Sequence, residues 1–282
     1  MQRFLTFVLA LQVIGGSQAV TVHYSDDTCN VTQKSTIQTE MEYAVQMAQE
    51  VQGGVTNGVY FDTFFSENLR NNPDHASNVE KAFGRIGDMA SGDGDTQFRV
   101  RCDPRANLCK RGYIAHMSDK NKIMNFCSPF FNEPAFRGTD DLLGDCNMDL
   151  RAAQRSRSAV IIHECTHTSY AMLDGDKALD YAYGYSGCTQ LAQGTFDRSC
   201  VSYAKGRVLC PDSDGNESIC SADYSGSNAD TFGHVAAGIW FSQKCGKDIP
   251  LPPPPSVKMR DCGAGLDDGI AIDGGGDEDS DD

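Results

Sequence analysis

Ala159-Val160-Ile161-Ile162-His163-Glu164-Cys165-Thr166-His167 sets an apolar run directly against two histidines and a glutamate. Asp149 suits an N-cap, and from Leu150 to about Met172 the pattern reads as one helix. It is apolar nearly all round at 159–162, so this helix is expected to form the buried centre of a domain. Residues i and i+4 project from one helix face, so His163 and His167 can reach the same metal ion. Glu164 stands beside them without itself being a ligand. A bound zinc ion lowers the pKa of its water to about 7, and a neighbouring carboxylate can take that proton as hydroxide attacks a peptide carbonyl. The ordinary alternative for His-Glu-x-x-His is a solvated helix face. It fits poorly after an apolar run, where unpaired His and Glu are costly to bury. Cys165 lies about 200° round the helix from His163 and faces away from the metal, which suits a core or disulfide role.

Two histidines leave a zinc site one protein ligand short. Downstream, Asp174, Asp176 and Asp180 are the acidic candidates, and Asp180 opens Asp180-Tyr181-Ala182-Tyr183-Gly184. With this segment the chain resembles the aspzincin metallopeptidases, the deuterolysin and peptidyl-Lys metalloendopeptidase family. Those pair His-Glu-x-x-His with Gly-Thr-x-Asp-x-x-Tyr-Gly, whose Asp is the third zinc ligand. The resemblance implies zinc as cofactor, Asp180 as ligand, Tyr183 as the hydroxyl that steadies the oxyanion, and Gly184 as the residue that completes the turn. Lys177-Ala178 stands where the family has Gly-Thr, so the approach loop departs from the pattern. Gly194-Thr195-Phe196-Asp197 supplies the missing letters with no Tyr-Gly after them and is read as a decoy.

Two more stretches are similar to the family: Lys122–Cys127 followed by Phe130-Phe131, and Asn228-Ala229-Asp230-Thr231-Phe232 on a final helix expected over Asn228 to about Gln243. In lysine-specific members the corresponding Asp helps form an acidic pocket for the residue after the scissile bond, usually with a second acid three positions later. Here that position is Gly233, which puts strict lysine specificity in doubt. Asp230 is either a substrate-binding group favouring basic residues or a helix N-terminal charge stabilised by the dipole. His234, one turn on, is a further candidate for such a pocket.

The flanks place this domain in a setting. Arg3, the apolar run Phe4–Ile14 and Ser17-Gln18-Ala19 form a signal-peptide pattern with cleavage after Ala19, too short to span a membrane. Twelve cysteines then read as a disulfide framework of a secreted, extracellular protein, with Cys102–Cys109 and Cys210–Cys220 as candidate local pairs. Asn30-Val31-Thr32 and Asn216-Glu217-Ser218 are glycosylation sequons in that context. Of the formal charge of −15, nine acids without a Lys or Arg fall in 261–282, leaving −6 for residues 1–260. No clustered basic surface is visible, so nucleic acid is not an expected partner. Protein or peptide substrates are, with no membrane association and a monomeric chain.

The organisation that follows is a signal peptide over 1–19, a metallopeptidase domain over 20–248, and a Pro-rich linker with an acidic disordered tail over 249–282. Helical spacing over Thr36–Val51 and Ala76–Met89, with Pro73 as an interruption, and strand-like runs at Phe98–Arg101, Gly112–His116 and Lys122–Phe126 predict the rest. The fold class is α+β, a mainly helical zincin-like domain with a small antiparallel sheet, the first two strands forming a hairpin. The rival readings are a zinc scavenger or surface antigen that kept the fold but lost turnover, and an adhesion or effector module with an incidental His pair. The retained Glu164 argues against the scavenger, because binding alone needs no general base.

Overall fold

A computed structural model of the chain describes residues 20–56, 58–92, 97–132, 136–172, 176–195 and 221–253. The signal-peptide pattern, Asp174, Asn216, the Cys210–Cys220 pair and the acidic tail lie outside these residues.

The elements run β1 (His23–Tyr24), α1 (Val31–Gln52), α2 (Val59–Phe64), α3 (Glu67–Arg70), α4 (Pro73–Ser91), β2 (Arg99–Arg101), α5 (Asn107–Lys110), β3 (Ala115–Ser118), β4 (Ile123–Phe126), α6 (Ser128–Phe131), α7 (Thr139–Leu143), α8 (Leu150–Gln154), α9 (Arg157–Thr166) and α10 (Gly184–Ala192). A 3-10 turn (Ala222–Ser227) and α11 (Ala229–Cys245) follow. Helices dominate, beside one small sheet. The single long helix expected from Leu150 to Met172 is in fact two. Ser156 leaves the helical conformation and its hydroxyl accepts from the Ala159 N–H, starting α9 afresh, while Asp149 caps α8 as the sequence suggests. A hydroxyl that satisfies an N-terminal amide is what the sequence pattern concealed at that point.

Caps also move two other boundaries. Asn30 and Gln33 form a reciprocal capping box, so α1 begins five residues before Thr36. Pro73 does not interrupt α4 but opens it. Its missing N–H costs nothing in a first turn, and the Asn72 side chain accepts from Asp74. Helix α4 ends at Gly92, where φ is +77° and a β-carbon would sit 2.1 Å from the Thr21 carbonyl oxygen. Only glycine meets both demands.

The sheet has the order β1-β2-β4-β3. β1 with β2 and β2 with β4 run parallel, and only β3 with β4 is antiparallel, so the small sheet is mixed. The hairpin joins β3 to β4 through Lys122 at φ +51°, not β2 to β3. Covalent geometry accounts for the difference. Cys102 pairs with Cys29 and Cys109 with Cys127, so the expected Cys102–Cys109 bridge does not form and β2 is held beside β1. A third disulfide, Cys146–Cys245, ties the segment before α8 to the end of α11 across 99 residues. Loops of that length are where a cross-link removes most unfolded-chain entropy.

Helices α1, α4 and α11 surround α9, and β3 packs against it as well. Val160, Ile161, Ile162 and Cys165 are fully buried, as the apolar run requires. Trp240 and Phe232 of α11 and Phe83 of α4 belong to the same buried core, with the Phe83 and Phe232 ring centroids 5.7 Å apart. Cys165 is a free buried thiol whose pKa burial pushes well up, so it belongs to the core and not to a disulfide.

One buried histidine outside the centre makes the fold acid-sensitive. His116 on β3 is 8% exposed, its Nε2 is buried with no hydrogen-bond partner among the described residues, and burial followed by Arg101 pushes its pKa down to about 4. A group whose folded pKa lies below its unfolded value contributes stability that is complete above about pH 6.5 and is lost as pH falls towards 4. That loss should amount to about 3 kcal/mol. Urea midpoints measured from pH 7 to pH 4 should therefore fall less steeply in His116→Gln than in the wild type. Parallel curves would refute the assignment.

Candidate metal centre

His163 lies in the last turn of α9 and His167 at its C-cap, so the i, i+4 pair straddles the helix end. Their Nε2 atoms stand 3.2 Å apart. Beyond the helix the chain turns back on itself. The Ala178 N–H donates to the Thr166 carbonyl at 2.9 Å, and His167 Nδ1 lies 2.8 Å from the Ala178 carbonyl oxygen. Donation from Nδ1 leaves the lone pair on Nε2, the state a ligand needs.

Asp180 then enters the same space. Its Oδ1 is 3.2 Å from His163 Nε2 and its Oδ2 3.4 Å from His167 Nε2. Ligand atoms about 2.0–2.1 Å from one zinc ion at tetrahedral angles stand about 3.3 Å apart, so the 3.2 Å between the two Nε2 atoms matches one such edge, while the Asp180 carboxylate turns one oxygen towards each imidazole. His163, His167 and Asp180 are all buried to within 1%. Glu164 is fully buried beside them. Several carboxylates and imidazoles desolvated together favour a divalent cation at their centre. The donor set, two nitrogens and one oxygen, suits zinc with an open fourth position.

Asp180 sits in a loop, and its position comes from α11. Leu179 N donates to Ser227 O at 2.9 Å, Ala229 N to Leu179 O at 3.0 Å, and Ala182 N to the Asn228 side-chain oxygen at 2.9 Å. Tyr183 is the N-cap of α10 in extended backbone, and Gly184 follows at φ +66°, a turn that glycine makes without strain. Both are half-buried. Asp176, the rival acid, is exposed. Gly194-Thr195 follows the Gln193 C-cap of α10, and Phe196-Asp197 lies outside the described residues.

Asp230, expected either to line a substrate pocket or to charge the start of the last helix, is drawn into the same buried region. It is 1% exposed, in the first turn of α11. Oδ1 accepts from Gln154 Nε2 at 2.9 Å and stands 3.3 Å from His163 Nδ1. Oδ2 accepts from Gly184 N at 2.6 Å. Burial would raise its pKa, but His234, His163 and the Gly184 amide outweigh that and hold the carboxyl below its ordinary value. His234 is buried too, with Nδ1 2.8 Å from the Asp230 carbonyl oxygen and its ring 4.8 Å from that of Phe64. Gln154 carried no signal in the sequence. Asn228 did, inside the Asn-Ala-Asp stretch, though its task of holding the Ala182 amide was not legible there.

The sequence model of the aspzincins, described as lysine-specific metallo-endopeptidase, matches residues 50–204, more than half of the chain. That match takes in the His pair, Glu164, Asp180 and Tyr183 and ends before Asp230. Among solved structures, a zinc peptidase from Grifola frondosa aligns with 75% of this chain and 98% of its own, at 16% identity and a TM-score of 0.47. No match to the sequence is found among curated proteins.

Proposed function

This chain belongs to the aspzincin family and is a zinc metalloendopeptidase, and from that premise we propose which residues do the work and where. His163, His167 and Asp180 hold the metal, a reading carried by the convergence of their three buried ligand atoms. When bound, zinc supplies the Lewis acidity that makes a water nucleophilic near neutral pH. Glu164 takes the proton from that attacking water and delivers it to the leaving amine. The Tyr183 hydroxyl donates a hydrogen bond to the oxyanion that develops on the scissile carbonyl.

The protein is secreted in this reading and acts as a monomer on protein or peptide substrates, with neither nucleic acid nor membrane as partner. The signal-peptide pattern and the disulfides support an extracellular site. Among the described residues no helix is long and apolar enough to cross a membrane. Asn30 is exposed and uses its side-chain oxygen as the α1 cap, which leaves its amide nitrogen for a glycan; Asn216 is the second proposed glycan site.

A preference for basic residues beside the scissile bond was expected to come from Asp230. That carboxylate is engaged by Gln154 and Gly184 and faces His163, and no second acid stands at Gly233. The favoured reading is therefore an endopeptidase without an Asp230-borne lysine preference. Peptide series differing only in Lys, Leu or Glu after the cleaved bond should be cut internally, at comparable rates, and not at all after chelation. A Lys preference of about tenfold or more, some 1.4 kcal/mol in the barrier, would restore the acidic pocket.

A further inference from the structure

We propose that Asp230 is a positioning residue of the zinc centre, its carboxylate joining the helix that carries two ligands to the loop that carries the third. This rests on the ligand assignment above and adds a role to a residue outside it. Three segments converge on one side chain: Gln154 from α8 donates to Oδ1, Gly184 from the ligand loop donates to Oδ2, and His163 Nδ1 from α9 stands 3.3 Å from Oδ1. A carboxylate facing the outer nitrogen of a metal-binding imidazole fixes its tautomer and raises its basicity. The Gly184 bond holds the far end of the loop four residues after Asp180, and the two links between Leu179 and the start of α11 hold its near end.

A second observation comes from Gly233, three residues on and on the same side of α11. A β-carbon there would lie 3.5 Å from the Ala159 carbonyl oxygen and 3.9 Å from the His163 β-carbon. Both are ordinary contact distances, so α11 crosses α9 closely at Gly233, and Asp230, three residues earlier on α11, comes within reach of His163.

The competing role, a charge that merely complements the α11 dipole, would leave zinc affinity unchanged. Asp230→Asn separates the two, since an amide offers one acceptor oxygen where Gln154 and Gly184 each use one. Competition with a chelator of known affinity should show zinc binding to Asp230→Asn weakened by about 10–100-fold. The chelated variant should melt close to the chelated wild type, and its ratio of Lys to Leu cleavage should be unchanged. Zinc affinity equal to wild type would overturn the inference, as would a selective loss of Lys cleavage. Should Asp230→Asn fail to fold, Gln154→Ala keeps the carboxylate but removes one anchor. It should show a smaller loss of zinc affinity, and none would equally overturn the proposal. A wild type that takes up no stoichiometric zinc would instead defeat the ligand assignment itself.

Discussion

Glu164→Gln should keep one zinc per chain and lose about 10²–10⁴-fold in kcat/KM for peptide hydrolysis. The substitution preserves volume on a fully buried side chain in α9, so the fold around Ile161, Ile162 and Cys165 has no reason to change. What it removes is the carboxylate proposed to accept a proton from the attacking water. Because Glu164 lies outside the His163–His167–Asp180 cluster, metal content and turnover should separate cleanly. A variant that hydrolyses casein as fast as the wild type would remove Glu164 from the mechanism. Wild type and variant that both hold zinc and both fail on every substrate would favour the scavenger reading.

Asp180→Ala should have the other large effect, on the metal itself. The two imidazoles alone cannot complete a zinc site, and Asp180 is the carboxylate within 3.2–3.4 Å of both Nε2 atoms. The variant is expected to purify without stoichiometric zinc and to lose hydrolysis to background. Asp176→Ala, at the exposed acid four residues earlier, should keep both. Zinc retained at one per chain in Asp180→Ala would show that another residue is the third ligand.

Much of this centre was legible before any coordinates. The i, i+4 spacing follows from helix geometry alone, and the apolar run before His163 announced burial. Asp180 was not reachable in that way. Three acids lay downstream, and only likeness to a family motif chose among them; in the structure the choice rests on long-range bonds from Ser227, Asn228 and Ala229 to the ligand loop. Periodicity ran through the break at Ser156 because residues on both sides face the same core, while the cap that ends one helix and begins another is a single hydroxyl. The strand pairings failed for a related reason. Runs of apolar residues locate β2, β3 and β4, but their order depends on which cysteine meets which, and spacing does not encode that. Asp230 was singled out through the likeness of Asn228–Phe232 to a family stretch, with a helix-start charge as the alternative. Its target, His163, lies 67 positions away, and only the crossing of α11 over α9 at Gly233 brings them together.

The most direct measurement is to strip the purified wild type of metal and follow casein hydrolysis as zinc is added back. The account predicts no hydrolysis at first, a linear rise with added zinc, and a plateau at one equivalent per chain. Hydrolysis that persists in the stripped protein, or that never appears at any zinc concentration, would contradict it.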